Sequence, residues 1–393
     1  MADDGQADVV IVGGAVIGSA VAFYLSRLGF AGRIVVVEQD PGYGQSSTAR
    51  SAGGLRQQFS TPENIRLSQA TLTLLRNLEA VFGAEADVGF REQGYLILAS
   101  PEGDAILARN VRLQQAHGAN IERLEAGSLG TSFPWLATDG VAAGAFGARG
   151  EGWLDPVALT TLFRNSAERA AVTYVKDRVV GLDVGRGVEA VRLACGHRIT
   201  CGAVVNAAGA WAGGVAALAG VALPVEPRKR FVYVLDCREA GDELRGAPLT
   251  VDPSGVWFRP EGRFFICGKS PDEASEPVPG DLDSIDHDFF EAEVWPVLAA
   301  RVPAFAAVKV INAWAGHYDY NTLDQNGIIG PHPELTNFYF ANGFSGHGLQ
   351  QSAGVGRAIA ELIVHGHYRS IDLARFGYDR IRRGAPLAEL NVI

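Results

Sequence analysis

The first 38 residues constrain the fold most, because two buried-strand patterns flank a glycine-rich turn and a helix. Residues 8–12 (DVVIV) form a short apolar run, and the turn follows at residues 13–18 (GGAVIG). A helical stretch reaches about residue 28, and a second apolar run at residues 34–37 ends at Glu38. A strand that turns sharply into a helix points unpaired N–H groups and the positive end of the helix dipole at one spot. We therefore predict a pyrophosphate site at this turn.

Glu38 closes this unit where an acidic residue can contact a ribose. It follows Gly18 by 20 residues, and a carboxylate there accepts hydrogen bonds from a ribose 2′-OH while repelling a 2′-phosphate. FAD or NAD is favoured. Ala15 replaces the second glycine of G-x-G-x-x-G, and we expect a slightly displaced but functional loop. The alternative is a plain βαβ unit whose glycines only make the turn, but strand, turn, helix, strand and acid together favour a cofactor site.

Length, charge and cysteine spacing exclude several classes of protein. A chain of 393 residues with net charge −10 predicts about two domains, and its only basic clusters, at residues 228–230 and 380–383, do not suggest a nucleic-acid partner. Four cysteines without C-x-x-C spacing indicate neither a metal site nor a disulfide framework. The apolar run at residues 9–25 is too short for a membrane span and is broken by the glycine turn. We expect no transmembrane segment, and the acidic N-terminus favours a cytoplasmic protein.

Two more junctions of strand, small residues and helix occur later in the chain. One lies at residues 204–211 (VVNAAGAW), and the other at residues 337–348 (NFYFANGFSGHG), before a helix at about 349–364. Between the junctions, the patterns predict strands at residues 94–99, antiparallel strands with a hairpin within 225–267, and a strand at 309–320. Further helices are predicted at about 64–81, 104–116, 155–170 and 288–300, and short strands at 172–175, 179–184, 188–194, 197–199 and 203–206.

The three junctions resemble those of the FAD-dependent D-amino-acid oxidase superfamily, specifically its sarcosine-oxidase-like branch. The resemblance rests on residues 10–18 with Glu38, on 204–211 and on 343–348, and it covers the whole chain. It implies a mixed α/β fold, with a Rossmann-like FAD-binding domain of the glutathione-reductase type and an inserted antiparallel β-sheet for the substrate. The implied boundaries are 1–85, 150–222 and 326–393 for the discontinuous FAD-binding domain and 86–149 and 223–325 for the substrate-binding domain.

The motifs and the resemblance together predict the residues that bind FAD. They are Gly13, Ala15, Val16, Ile17, Gly18, Glu38, Gln39, Ser47, Thr48, Arg50, Ser51, Gly54, Val179, Ala208, Gly209, Trp211, Gly316, Gly343, Phe344, Ser345, Gly346, His347, Gly348 and Leu349. Backbone N–H groups of the 343–348 loop can meet the negative charge that develops at the flavin N1/O2 edge, although its glycines could merely permit a tight turn. Noncovalent FAD is expected, because His317 stands where sarcosine oxidases attach the flavin through cysteine.

Five residues are predicted to act on the substrate: Arg56, His317, Tyr318, His347 and Gln350. Two usual carboxylate holders of the family are replaced, since Gln350 stands where sarcosine oxidases have a lysine and His317 where glycine oxidases have an arginine. Arg56 resembles a further arginine that contacts the carboxylate, and its planar fork suits a two-point grip. The alternatives are a position on the surface or beside the pyrophosphate for Arg56, and ordinary packing for the histidines and the tyrosine.

The resemblance implies oxidation of the C–N bond of a small amino acid or N-alkyl amino acid. Hydride passes to flavin N5, and the resulting imine is hydrolysed. The electron acceptor could be O2, a quinone or an electron carrier, and low oxygen reactivity is expected because Ile266 or a neighbour replaces the usual lysine, with Lys269 nearby.

A flavin-dependent 2-hydroxy-acid dehydrogenase is an alternative, since fold does not determine substrate. A second alternative comes from residues 50–64 and 318–327, which resemble one subgroup of the family. That subgroup implies a flavin-holding assembly factor of a respiratory complex without small-molecule turnover. A homo- or hetero-oligomer is compatible with each interpretation.

Overall fold

The computed structural model describes residues 5–272 and 275–390, whose strands form two eight-stranded sheets and one two-stranded sheet. The first large sheet contains β1 (Gln6–Val12), β2 (Ile34–Glu38), β8 (Thr173–Lys176), β9 (Val179–Val184), β10 (Val188–Leu193), β11 (Arg198–Asn206), β17 (Ile328–Pro331) and β18 (Phe338–Asn342). Its main strand order is β17-β18-β11-β1-β2-β8, and β10 pairs with both β11 and β9. The small sheet joins β3 (Gly54–Leu55) to β7 (Gly152–Trp153).

The centre of the first sheet is parallel. Strand β1 lies between β2 and β11, so that Val10 is opposite both Val35 and Val204, and β18 continues the parallel arrangement beside β11. Because helices cover parallel sheets on both faces, their strands are continuous apolar runs, as residues 8–12 and 34–37 are. The predicted βαβ unit is therefore confirmed, and its two strands end at the same edge as β11.

Helices α1 (Val16–Arg27) and α11 (Gly348–His365) pack against each other and, with α2 (Pro62–Leu75) and α6 (Pro156–Arg169), form one hydrophobic core. Val16, Phe23, Phe163 and Ile359 are among its buried members. The α-helices are α1 (Val16–Arg27), α2 (Pro62–Leu75), α3 (Leu78–Phe82), α4 (Asp104–Ala116), α5 (Ala126–Ser132), α6 (Pro156–Arg169), α7 (Ala212–Ala217), α8 (Asp242–Arg245), α9 (His287–Phe289), α10 (Trp295–Arg301), α11 (Gly348–His365) and α12 (Asp379–Arg382). Of the described residues, no helix combines the length and the apolar character that crossing a membrane requires.

The second large sheet has the order β16-β12-β15-β14-β13-β4-β6-β5. Its strands are β4 (Tyr95–Ala99), β5 (Glu122–Glu125), β6 (Ala143–Gly147), β12 (Val225–Asp236), β13 (Leu249–Val251), β14 (Trp257–Glu261), β15 (Phe264–Gly268) and β16 (Lys309–Asn321). The predicted hairpin is confirmed as β14 and β15. Every pairing in this sheet is antiparallel except that of β13 with β4. The domain boundaries themselves stay a prediction.

Two predicted helices and two predicted strands differ from the structure. The helix predicted at 288–300 is divided into α9 and α10 by a π-helical segment, Phe290–Val294. The helix predicted at 64–81 is divided into α2 and α3, because Asn77 leaves helical geometry (φ −125°, ψ 22°) and its side-chain amide donates to the Thr73 carbonyl oxygen. The strands predicted at 197–199 and 203–206 form one strand, β11. Gly202 does not interrupt it, and a Cβ at this glycine would lie 2.9 Å from the Asp8 carbonyl oxygen of neighbouring β1.

Candidate active site

One cavity of about 810 Å³ is lined by parts of both large sheets. The first sheet contributes the carboxyl ends of β1 and β2 and the residues that follow β11, and the second contributes β12 and β16. The amino-terminal ends of α1 and α11 and the polar loop at residues 45–54 complete the wall. The three junctions recognised in the sequence therefore meet at one place.

The turn before α1 depends on two glycines in different ways. Gly13 has φ +96°, and a Cβ there would lie 2.4 Å from the Ala207 carbonyl oxygen. A Cβ on Gly18 would lie 1.8 Å from the carbonyl oxygen of Gly13, so this close approach excludes any side chain. Helix α1 begins at Val16, and its N-cap residue makes no side-chain cap hydrogen bond in the described structure. Val16 and Ile17 line the cavity, which makes the helix end suitable for a pyrophosphate.

Glu38 is held at the end of β2 by two backbone donors. The N–H of Gly14 donates to one carboxylate oxygen at 2.7 Å, and the N–H of Asp40 donates to the other at 2.8 Å. Burial raises the pKa of Glu38, while these N–H donors oppose the shift. The carboxylate lines the cavity and has lone pairs left for a ribose hydroxyl.

The loop at residues 343–348 is fastened to β16. The Phe344 N–H donates to an Asp319 carboxylate oxygen at 3.0 Å, and the Asn321 N–H donates to the Ser345 hydroxyl oxygen at 3.0 Å. Ser345 itself has φ +51°, a left-handed conformation that is uncommon outside glycine. The loop leads into α11, whose N-cap residue His347 also makes no side-chain cap bond in the described structure. A second uncapped helix end therefore faces the cavity.

Asp319 is a buried acid of the cavity wall that the sequence analysis did not single out. Burial raises its pKa to about 6, against the lowering effect of the Phe344 and Gly343 N–H groups. A signal was present, since Asp319 alternates with Ala315 and His317 on a strand whose odd-numbered residues are buried in this stretch. An acid in that alternation indicates a buried carboxylate.

Arg56 is the most deeply buried charged side chain at the cavity, with 1% of its surface exposed. One guanidinium nitrogen donates to the Gln58 carbonyl oxygen, and another lies 3.1 Å from His347 Nε2. The guanidinium carbon lies 4.2 Å from the centre of the Phe59 ring. Burial lowers the pKa of Arg56, although arginine remains charged. The surface role weighed for Arg56 is therefore wrong.

His347 and Gln350 support this arginine. Burial lowers the pKa of His347 well below its ordinary value, and Arg56 adds to the shift, so the imidazole is neutral. Since a guanidinium only donates, His347 Nε2 is the acceptor, and Nδ1 carries the proton. The Gln350 side-chain oxygen accepts the Arg56 backbone N–H at 2.8 Å and the Ser68 hydroxyl at 3.4 Å.

Tyr318 is affected by two cations. Its buried hydroxyl has a raised pKa because of desolvation, and both Arg230 and Arg56 oppose that shift. The Arg230 guanidinium carbon lies 5.4 Å from the centre of the Tyr318 ring. A Cβ on Gly346 would lie 2.6 Å from this ring, so the glycine makes room for it. Arg230 also lines the cavity and is not among the site residues predicted from the sequence.

His317 and Lys269 lie in the cavity wall with different partners. His317 Nε2 contacts the Pro279 carbonyl oxygen, and its ring packs edge-on against Trp211 with centroids 5.9 Å apart. Burial lowers the pKa of His317. The Lys269 ammonium lies 2.8 Å from a Glu293 carboxylate oxygen, so this lysine already has an anionic partner.

Most residues predicted for the site line the cavity. They are Gly13, Ala15, Val16, Ile17, Glu38, Gln39, Ser47, Thr48, Arg50, Ser51, Gly54, Arg56, Val179, Ala208, Gly209, Trp211, Gly316, His317, Tyr318, Phe344, Gly346, His347, Gly348, Leu349 and Gln350.

Three predicted cofactor residues, Gly18, Gly343 and Ser345, are not among the residues that line the cavity. Gly18 packs on the backbone of Gly13, and a Cβ on Gly343 would lie 3.1 Å from a Val225 side-chain carbon. The Ser345 hydroxyl accepts a backbone hydrogen bond. These three shape the loops instead of lining the wall.

Four features together define the class of protein as an FAD-dependent oxidoreductase. They are the parallel sheet, the glycine-dependent turn at a helix end, the acid on the next strand and the largely antiparallel second sheet. The chain belongs to the DAO family of FAD-dependent oxidoreductases, whose model matches residues 8–362. FAD is therefore its cofactor, as the motifs predict, and the residues above fit it through uncapped helix ends and the fixed Glu38 carboxylate.

Curated relatives and solved structures agree with this assignment. The chain is 44% identical to FAD-dependent oxidoreductase domain-containing protein 1 of Bos taurus over 98% of its own length and 86% of the relative. It is 26% identical to human mitochondrial sarcosine dehydrogenase, covering 94% of this chain and 41% of that protein. The structure of L-proline dehydrogenase from P. horikoshii matches with a TM-score of 0.85 at 27% identity, covering 97% of this chain and 99% of the other. The resemblance to the D-amino-acid oxidase superfamily is confirmed.

Proposed function

We propose that this protein oxidises the C–N bond of a small amino acid or N-alkyl amino acid and holds its FAD noncovalently. The observation that carries the proposal is the buried Arg56 guanidinium in the cavity wall, oriented by a neutral imidazole. A buried guanidinium recognises a carboxylate through charge and paired N–H donors. Relatives named for proline and sarcosine oxidation also support an amino-acid substrate.

The residues around Arg56 have separate roles in this proposal. Arg56 binds the substrate carboxylate, and Gln350 fixes the arginine backbone. His347 remains neutral, so it orients Arg56 through Nε2 without adding a second charge. Tyr318 supplies a protonated hydroxyl, because burial raises its pKa. The partly apolar cavity lowers the pKa of a bound ammonium group, which favours the neutral amine as the reacting form.

The cofactor side of the site is formed by backbone groups. The start of α1 would hold the pyrophosphate, Glu38 the ribose, and the start of α11 the pyrimidine edge of the flavin. When bound, FAD supplies a two-electron acceptor that takes a hydride from the carbon next to nitrogen. A quinone or an electron carrier is the proposed final acceptor, since the ammonium of Lys269 is paired with Glu293.

Anaerobic reduction of the bound flavin tests the proposal. The holoprotein would be mixed with L- and D-amino acids, N-methyl amino acids and 2-hydroxy acids, and its absorbance near 450 nm followed. Bleaching by an amino compound, with release of the flavin into the supernatant on acid precipitation, is the expected result. Bleaching by hydroxy acids alone would favour the hydroxy-acid alternative. Bound FAD that no member of the panel reduces would contradict an enzymatic role and favour an assembly role.

A further inference from the structure

Arg230 carries a charge that the proposed mechanism does not use. The side chain projects from β12, is 10% exposed and lines the cavity. Two hydrogen bonds come from one terminal nitrogen of the guanidinium, which donates to the Lys229 carbonyl oxygen at 2.8 Å and to the Glu276 carboxylate. Its Nε is buried and has no hydrogen-bond partner among residues 5–272 and 275–390. A buried donor without a partner is costly, so a ligand that supplies an acceptor would be stabilised there.

Glu276 places a carboxylate on this arginine. Its two oxygens contact different guanidinium groups, Arg230 through one and Arg228 through the other at 3.1 Å. Arg228 has a second anionic partner, Glu226, at 2.8 Å. Among the described residues, Glu276 is the ion-pair partner that the structure gives to Arg230. Arg228 can therefore retain Glu276 if another carboxylate takes its place on Arg230.

The chain segment around Glu276 is held independently of this ion pair. The Lys229 ammonium donates to the carbonyl oxygens of Asp281 and Ser284, the latter at 2.6 Å. His317 contacts the Pro279 carbonyl oxygen on the same segment. Removal of the Glu276 charge therefore leaves these backbone attachments in place and alters the ion pairs with Arg230 and Arg228, of which Arg230 lines the cavity and Arg228 does not.

From this geometry we infer that Arg230 binds a carboxylate of the ligand, and that Glu276 occupies the same guanidinium until the ligand displaces it. The inference rests on the proposed function, since it assigns a second carboxylate contact to the same cavity. The Arg230 guanidinium carbon lies 5.4 Å from the centre of the Tyr318 ring, and Arg56, Arg230 and Tyr318 all line this one cavity. Glu276 is then an internal competitor that sets the ligand affinity.

Binding of simple carboxylates tests this inference without turnover. Acetate and propionate would be titrated into the holoprotein, with acetamide as a neutral control, and the Kd obtained from flavin absorbance and from the thermal shift. Glu276→Gln is expected to lower the Kd for carboxylates about tenfold, because the competing charge is removed. Arg230→Gln is expected to raise it about tenfold, since a hydrogen bond to a charged group is lost. Acetamide binding should change in neither variant.

The double variant separates competition from a structural effect. Combined with Arg230→Gln, Glu276→Gln should have no further effect on the Kd, because the two carboxylates no longer compete for one guanidinium. Glu334→Gln, which alters an exposed pair with Arg382 at 3.5 Å, is the matched control and should leave the Kd unchanged. An unchanged Kd in Glu276→Gln, or no binding of carboxylate to any of these proteins, would overturn the inference. Either result can occur whether or not amino acids reduce the flavin, so the proposed function is tested separately.

Discussion

The two walls of the cavity use different chemistry. The cofactor wall is made of glycines, helix ends and backbone N–H groups, with Glu38 as its one acid singled out by the motif. The substrate wall is made of buried charged and aromatic side chains, including Arg56, Arg230, Asp319 and Tyr318. The cofactor wall therefore depends on close backbone approach, whereas the substrate wall depends on burial and charge. Substitutions should affect the two walls through different properties.

Gly18→Ala is expected to have the largest effect, and it tests the cofactor wall. A methyl group would lie 1.8 Å from the Gly13 carbonyl oxygen, an overlap with backbone that no side-chain rotation relieves. We expect loss of most bound FAD and a decrease of several kcal/mol in the free energy of unfolding. The FAD content and urea denaturation measure both. Gly127→Ala, at an exposed position of α5 that does not line the cavity, is the control, since its Cβ would have nothing within 4 Å; wild-type FAD content in Gly18→Ala would contradict this account.

Asp319→Asn tests whether the buried charge of Asp319 in the substrate wall lowers the free energy of unfolding. The pKa of Asp319 is about 6 in the folded protein against 3.8 ordinarily, so the unfolded chain loses its proton first as the pH rises. The wild-type free energy of unfolding, relative to that of Asp319→Asn, should fall by up to about 3 kcal/mol between these two pKa values and stay level above pH 6. Urea denaturation from pH 4 to pH 8 measures the difference. A flat difference across this range would contradict the raised pKa of Asp319.

Arg56→Met removes the proposed carboxylate contact and leaves the cofactor wall intact. We expect kcat/KM for amino-acid-driven flavin reduction to fall about a hundredfold, equivalent to about 2.7 kcal/mol, since a buried charge that binds the substrate is lost. The FAD content should stay near wild type. Stopped-flow reduction under anaerobic conditions measures the first quantity. Arg66→Met, on the exposed face of α2, serves as the control, and equal rates in the two variants would remove Arg56 from the mechanism.

Lys269→Met should have the smallest effect. Because its ammonium is paired with Glu293 at 2.8 Å, the lysine is not expected to promote the reaction with oxygen. Reoxidation of the reduced flavin by O2 should be slow in the wild type and change less than about threefold in the variant, as for a weak, partly exposed pair. Mixing reduced protein with aerated buffer measures the rate. A decrease of tenfold or more in the reoxidation rate would show that Lys269 promotes the reaction with oxygen and would add it to the functional residues of the substrate wall.

The same contrast explains what could be predicted from the sequence. Backbone sites leave local patterns, so the turn at residues 13–18, Glu38 and the loop at 343–348 were recognised, and all three meet at the cavity. The contact between Arg230 and Glu276 joins residues 46 positions apart and has no local pattern. The only local sign of Asp319 is its place among the alternating buried residues of β16, and that sign alone did not predict a site residue.

No helix or strand is predicted from the sequence between residues 120 and 150, although the structure has β5, α5 and β6 there. Strand β6 is made of alanine, glycine and phenylalanine, residues that include poor strand formers, and it forms because it lies between β4 and β5. A Cβ on Gly144 would lie 2.9 Å from a Leu129 side-chain carbon and 3.0 Å from one of Leu96. Tertiary packing therefore decides this strand, and the intrinsic preference of its residues does not.

The position of β18 and α11 has a consequence for biosynthesis. Strand β18 joins the first sheet beside β11, and α11 covers α1, although nearly the whole chain separates these elements from β1. At about 5–20 residues per second, a ribosome needs roughly 20–70 s to reach the start of α11 after it has made β1. The part of α1 that α11 covers therefore waits for α11, whereas the part that packs against α6 does not. Because the start of α11 also forms part of the cavity wall, the complete cofactor site exists only after nearly the whole chain has been made.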